Sequence, residues 1–174
     1  MKIRCEFHLG DKARKVFLVP KPEEKADHLV LKLAALAMFH AQNPVVDLSA
    51  DHPSLSAFAH RPDVCVFNEG GEISHWIECG TVSLHKVDKV LRRMSSGRFI
   101  VIKPDIRGAQ KFRNDLNHEV RNGNRVEIWA WENEEFLGLL KVIGEKTELF
   151  GEAHERFLNV VVNEHPYVAQ LVEV

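Results

Sequence analysis

The first nineteen residues hold two apolar-rich runs, at 2–8 and 15–19 (Lys15-Val16-Phe17-Leu18-Val19), around Gly10-Asp11; this predicts a first pair of strands. Pro22-Glu23-Glu24 then opens a helix running to about His40. Proline suits the first helical turn, and acids there meet the positive end of the dipole. From Leu29 to Phe39 the pattern is apolar on most sides, which predicts a helix buried in packing. Residues 43–62, with three prolines and several Ser, Asp and His, read as a long loop with room for one short helical turn. Loops of that length in compact domains are often functional.

Val64-Cys65-Val66-Phe67 and Ile73-Ser74-His75-Trp76-Ile77 read as two strands joined by Glu69-Gly70-Gly71-Glu72. Both central positions of a type I′ turn need positive φ, so Gly-Gly predicts a two-residue hairpin loop. That register sets Glu69 against Glu72, Phe67 against Ser74, Cys65 against Trp76 and Asp63 against Glu78. Apolar residues on both faces place the hairpin in mid-sheet. Ser83 can cap a helix of about 84–95 with Leu84, Val87, Val90, Leu91 and Met94 on its core face. Arg98 to Lys103 is a continuous apolar strand, Asp105 to Arg121 an amphipathic helix and Val126 to Trp131 a further strand. Such a crossover implies a parallel, right-handed pair. Glu132 to Val142 fits a short helix, and Arg156 to Val162 with Tyr167 to Val174 a closing hairpin around Asn163-Glu164-His165-Pro166. The predicted architecture is α/β: a mixed central β-sheet flanked by helices, in a single domain over 1–174.

Size and composition narrow the function. A chain of 174 residues can bury roughly 70% of its unfolded surface without staples. A net charge of −2 argues against a strong nonspecific nucleic-acid binder while leaving room for a local basic patch. Three cysteines and no C-x-x-C point to a reducing cytosol. The N-terminal residues lack a signal-peptide core, and no apolar run approaches the roughly 20 residues of a membrane span. A cytoplasmic protein with no membrane partner is the expectation.

The chemistry concentrates at the hairpin end. Directly opposed residues have Cβ atoms roughly 4.5–5.5 Å apart, and two carboxylates at that spacing repel. Asp63 and Glu78 therefore imply a bound cation or a raised pKa, unless both are simply solvated at the strand ends. Glu24 is a third acid, with Asp27 and His28 on its helix face; dipole stabilisation alone also accounts for it. Lys86, Lys89 and Arg93 share one face of the following helix, either as a solvated row or leaning over the carboxylates. Lys103 and Arg107 are weaker additions. The ten histidines lack zinc-like spacing and read as surface or loop residues. Cys79 reads as a buried thiol, and Trp129 and Trp131 as core. Phosphate-cradling and hydrolase-elbow motifs are absent.

Taken in order, these segments resemble the YaeQ family, within the wider PD-(D/E)XK nuclease-like fold. Pro22, Glu24, Leu31, Leu33 and Ala35 resemble its first helix, and Trp76-Ile77-Glu78-Cys79-Gly80 its W-I-E-x-G strand end. Lys89 falls where its next helix carries a lysine; Phe99 to Lys103, Arg107, Ala109, Gln110, Phe112 and Ile128-Trp129 are similar to the segments that follow. The wider fold implies a restriction-endonuclease-like core in which two strand carboxylates hold Mg²⁺ or Mn²⁺. By that resemblance Asp63 and Glu78 would bind the ion, with the Cys79 backbone carbonyl and Glu24 as further ligands. A lysine usually stands two residues after the second acid; here that position is Gly80, and Lys86 or Lys89 would substitute. The leading expectation is thus a metal-dependent phosphodiesterase acting on nucleic acid. The alternative is a catalytically degenerate binding or regulatory module, favoured by Gly80 and the acidic balance. A third class would use the carboxylates as acid and base without metal.

Overall fold

A computed structural model describes residues 1–174 and resolves the chain into eleven strands and four helices. The strands are β1 (Ile3–Leu9), β2 (Lys12–Leu18), β3 (Val45–Val46), β4 (Val64–Phe67), β5 (Ile73–Cys79), β6 (Arg98–Lys103), β7 (Val126–Ala130), β8 (Lys146–His154), β9 (Phe157–Val162), β10 (His165–Gln170) and β11 (Val172–Glu173). The helices are α1 (Ala26–Met38), α2 (Leu84–Leu91), α3 (Ile106–Glu119) and α4 (Glu135–Val142).

The strands form two mixed sheets where the sequence predicts one. The first has the order β10-β9-β8-β1-β2, the second β11-β7-β6-β5-β4-β3. The difference turns on β8, a strand the sequence reading does not contain. Only two of its positions are buried, the polar Thr147 and the apolar Leu149, and it earns its place by pairing parallel with β1 across the whole length of the chain.

Helix α1 lies between the sheets. Its residues share one continuous core with β1, β2, β8 and β9 on one side and with β4, β5, β6 and β7 on the other. Being covered on both sides explains why the chain is apolar almost all round from Leu29 to Phe39. A second core, on the opposite face of the six-stranded sheet, is covered by α2 and α3. Ser83 caps α2 by accepting from the Lys86 amide, and Asp105 caps α3 by accepting from Gly108. Helix α2 ends at Leu91, short of the predicted 95. The crossover through α3 makes β6 and β7 parallel, as the sequence predicts.

The central hairpin keeps its predicted register where it matters: Cys65 pairs with Trp76 and Val64 with Ile77. Its turn differs. Only Gly71 has positive φ, Asn68 closes the loop by accepting from Gly71, and a bulge sets Phe67 against Ile73 instead of Ser74. The two consecutive positive φ values occur in the last hairpin, at Asn163 and Glu164 between β9 and β10.

Truncating the middle of α1 should expose how much the fold leans on it. Leu33 is fully buried, and Leu33→Ala is expected to destabilise by about 2–5 kcal/mol. Urea denaturation checks this; a loss below about 1 kcal/mol would mean that α1 is not the shared core.

Candidate functional site

Asp63 immediately precedes β4 and Glu78 lies near the end of β5, so the continued register brings them side by side at one end of the six-stranded sheet. Both are buried, at 9% and 2% exposure, which removes the reading of two solvated strand-end acids. The two side chains have separate partners. Asp63 Oδ2 accepts from the Cys79 amide at 2.9 Å and lies 3.3 Å from His28 Nε2. Glu78 accepts from the Trp76 indole at 2.7 Å, and Lys86 Nζ stands 2.6 and 2.8 Å from its two oxygens.

On the α1 side a wider cluster surrounds Asp63. Glu24 sits in the turn before α1, not in its first helical turn: its Oε2 accepts from the Lys21 amide at 2.9 Å. Its Oε1 lies 3.3 Å from His28 Nε2 and 2.5 Å from Lys32 Nζ. Lys32 is fully buried and also reaches Asp47 Oδ1 at 2.9 Å and Asp63 Oδ1 at 4.0 Å. Asp47, in turn, takes Lys21 at 2.8 Å.

These partners split the titration of the pair. Burial pushes the Asp63 carboxyl up, but His28, the Cys79 amide and Lys32 outweigh it and hold it below the ordinary aspartate range. For Glu78, burial and then the Asp63 charge prevail over Lys86 and Trp76, and its carboxyl is pushed up to about 7. Neighbouring acids whose environments drive them apart are the pattern expected of a functional centre. At Lys32, burial opposes the charge and the carboxylates overcome it, raising its pKa.

Of the residues expected at the site, the structure brings together Asp63, Glu78, Lys86 and Glu24. Lys89 is exposed and makes no ion pair, so Lys86 alone reaches Glu78. Lys103 is buried and donates to the Gly80 carbonyl at 2.6 Å, over the Phe112 ring; Arg107 is exposed. Cys79 takes part through its backbone amide, and its thiol is buried with its pKa raised, first by that burial. Trp129 and Trp131 are both fully buried, as expected. Three residues were missed: His28, Lys32 and Asp47. One signal was present, since Lys32 is the single charged residue between Leu29 and Phe39. The histidines are not all peripheral: His28 joins the cluster and His40 is buried.

The oxygens of Asp63, Glu78, Glu24 and the Cys79 carbonyl are hard donors of the kind Mg²⁺ takes. As arranged they do not fit an ion: no three carboxylate, histidine or thiol side chains converge to hold one. The physical reason is that the carboxylates are already claimed by Lys32 and Lys86.

Comparison with known proteins places this arrangement. The family model described as YaeQ protein matches residues 11–168. The chain belongs to the YaeQ family. The crystal structure of YaeQ protein from Pseudomonas syringae is similar with a TM-score of 0.76 at 15% identity, covering 99% of this chain and 94% of that one. That of YaeQ protein from Xanthomonas axonopodis pv. citri gives 0.73 at 14%, covering 99% and 96%. Identity this low carries the YaeQ fold and no chemistry. A search of curated proteins finds no match. No helix is long and apolar enough to cross a membrane.

The titration of Glu78 has a definite sign. Its folded pKa lies above the ordinary 4.5, so its contribution to stability is present below 4.5 and lost as pH rises to about 7. Asp63 acts in the opposite sense, losing its contribution as pH falls below the ordinary aspartate value. In Glu78→Gln the decline in stability between pH 4.5 and 7 should flatten, as followed by denaturation at each pH. An unchanged slope would mean that Glu78 does not hold the extra proton.

Proposed function

We propose that this chain is a nuclease-like YaeQ protein that works as a metal-independent binding module for nucleic acid. The observation that carries the reading is the cleft over Asp63. It has a volume of about 400 Å³ and is lined by Lys21, His60, Arg61 and Lys86, with Asp63 as its one acid. Behind Asp63 stand the His28 imidazole at 3.3 Å and the Lys32 ammonium at 4.0 Å. Lys21 and Lys86 are paired with Asp47 and Glu78, so the unpaired positive charge in the cleft wall is that of Arg61, although the whole chain is slightly acidic. Arg61 is exposed and makes no ion pair, so its guanidinium is free for a phosphate.

The basic face of α2 extends this surface. Lys86 lines the first cleft and Arg93, in the turn after α2, a second of about 320 Å³, with Phe58 in the wall of both and Lys89 between them in sequence. Phosphates neutralised along such a track supply sequence-independent affinity. Phe58 packs on Trp76 at 5.0 Å between ring centres and offers an aromatic surface where the clefts meet.

Gly80 supports a module without the usual motif lysine. Its φ of +75° is a left-handed conformation that a lysine would adopt only with strain. A Cβ there would stand 3.3 Å from Leu31 of α1.

Fluorescence anisotropy with labelled single strands and duplexes tests the reading. Binding should persist in chelator and in Asp63→Asn. Arg61→Ala and Lys89→Ala should each weaken it for all sequences and reduce the salt slope by about one. Absence of binding at low salt, or variants that bind like wild type, would remove the proposal.

A second reading, a Mg²⁺- or Mn²⁺-dependent phosphodiesterase, has one observation in its favour: Lys86 from the next helix does reach Glu78. It requires Lys32 and Lys86 to release their carboxylates. Divalent-dependent cleavage by wild type that disappears in Glu78→Gln would establish it over the first.

A further inference from the structure

Lys32 is the least exposed charged side chain in the molecule. The side chain is fully buried in the otherwise apolar run from Leu29 to Phe39, and the carboxylates around it come from three separate segments. Glu24 belongs to the turn before α1, Asp47 follows the short strand β3, and Asp63 opens β4; they approach Nζ to 2.5, 2.9 and 4.0 Å. Asp47 is held there with a φ of +50°, its amide donating to the Asp63 carbonyl at 3.1 Å. The remaining basic groups at the cluster are Lys21, on Asp47, and the His28 imidazole, beside Glu24 and Asp63.

Three carboxylates from separate segments surround this one ammonium, Glu24 and Asp47 in direct contact and Asp63 at 4.0 Å, and together they hold a single cation. The cation here is covalently tethered. We propose that the Lys32 ammonium is the resident cation of a Glu24–Asp47–Asp63 centre, and that by occupying it Lys32 excludes divalent metals. The centre differs from the Asp63–Glu78 pair expected from the sequence. Glu78 is turned to Lys86, and Asp47 takes its place among the converging acids. This accounts for the lack of metal-ready geometry among side chains that are chemically suited to a hard ion.

Removing the ammonium should convert the centre into a divalent site. Without Lys32 the three acids face only Lys21 and His28, and an oxygen-seeking ion relieves their repulsion. The test is the melting temperature of wild type, Lys32→Ala and Lys32→Gln in EDTA and in Mn²⁺, with Mn²⁺ binding measured by calorimetry. Wild type should be indifferent to both. Each variant should melt lower in EDTA and recover by about 5–10 °C at Mn²⁺ a hundredfold above its dissociation constant. Lys32→Gln keeps much of the side-chain volume, so it guards against loss of packing alone. Equal Mn²⁺ binding by wild type would overturn the proposal, as would folded variants that bind none. Variants that stay unfolded in Mn²⁺ would do the same, because a bound ion should restore the missing charge. The proposal deepens the metal-independent reading above. Polynucleotide binding is read separately on wild type, so failure of one test is distinguishable from failure of the other.

Discussion

A charged amine with no access to water is tolerable only where opposite charges meet it at close range, since each ion taken from water carries a penalty of several kcal/mol. Lys32 imposes that condition on this protein. Its place in α1 is fixed by the two sheets that pack on either side of the helix, so the ammonium cannot move outward to solvent. The acids must come to it instead. The turn before α1, the segment after β3 and the start of β4 each deliver one carboxylate. The geometry of the candidate site follows from meeting that one demand inside a close-packed core.

The same demand explains why Asp63 and Glu78 behave differently despite adjacent positions. Asp63 shares in the field of Lys32 and His28 and takes a backbone amide as well, so its charged form is well supported. Glu78 has one lysine and an indole against near-complete burial and the Asp63 charge, so its proton is held to about pH 7. Two carboxylates at one sheet end are thus driven in opposite directions, Asp63 toward its charged form and Glu78 toward its protonated one.

Much of the candidate site was legible in the residues. The Asp63–Glu78 register followed from alternation and turn position, and a lysine from the next helix did meet Glu78. The choice of Lys86 over Lys89 needed the structure, because both lie on the same helix face and only the spatial offset between α2 and β5 decides which one reaches. His28 was legible only as a neighbour of Glu24 on its helix face, since its contact with Asp63 is long-range, and Asp47, an acid in a long loop, left no local mark. Lys32 did leave a mark, a lone charge in an apolar run, but its meaning depended on partners 8 to 31 positions away in sequence.

By itself the sequence determined the elements with strong periodicity: the buried α1, the central hairpin, the parallel β6–α3–β7 unit and the closing hairpin. Those features rest on local spacing of apolar residues, caps and turns, which a linear reading contains. Only tertiary structure decided that the strands divide into two sheets, that β8 exists and pairs with β1, and that Glu24, Asp47, Asp63 and Glu78 each face a lysine of the same chain. Strand β8 has too few apolar inward positions to announce itself, and charge pairing across α1 joins residues from several distant segments. Both are long-range matters, settled when the helix is enclosed between the sheets.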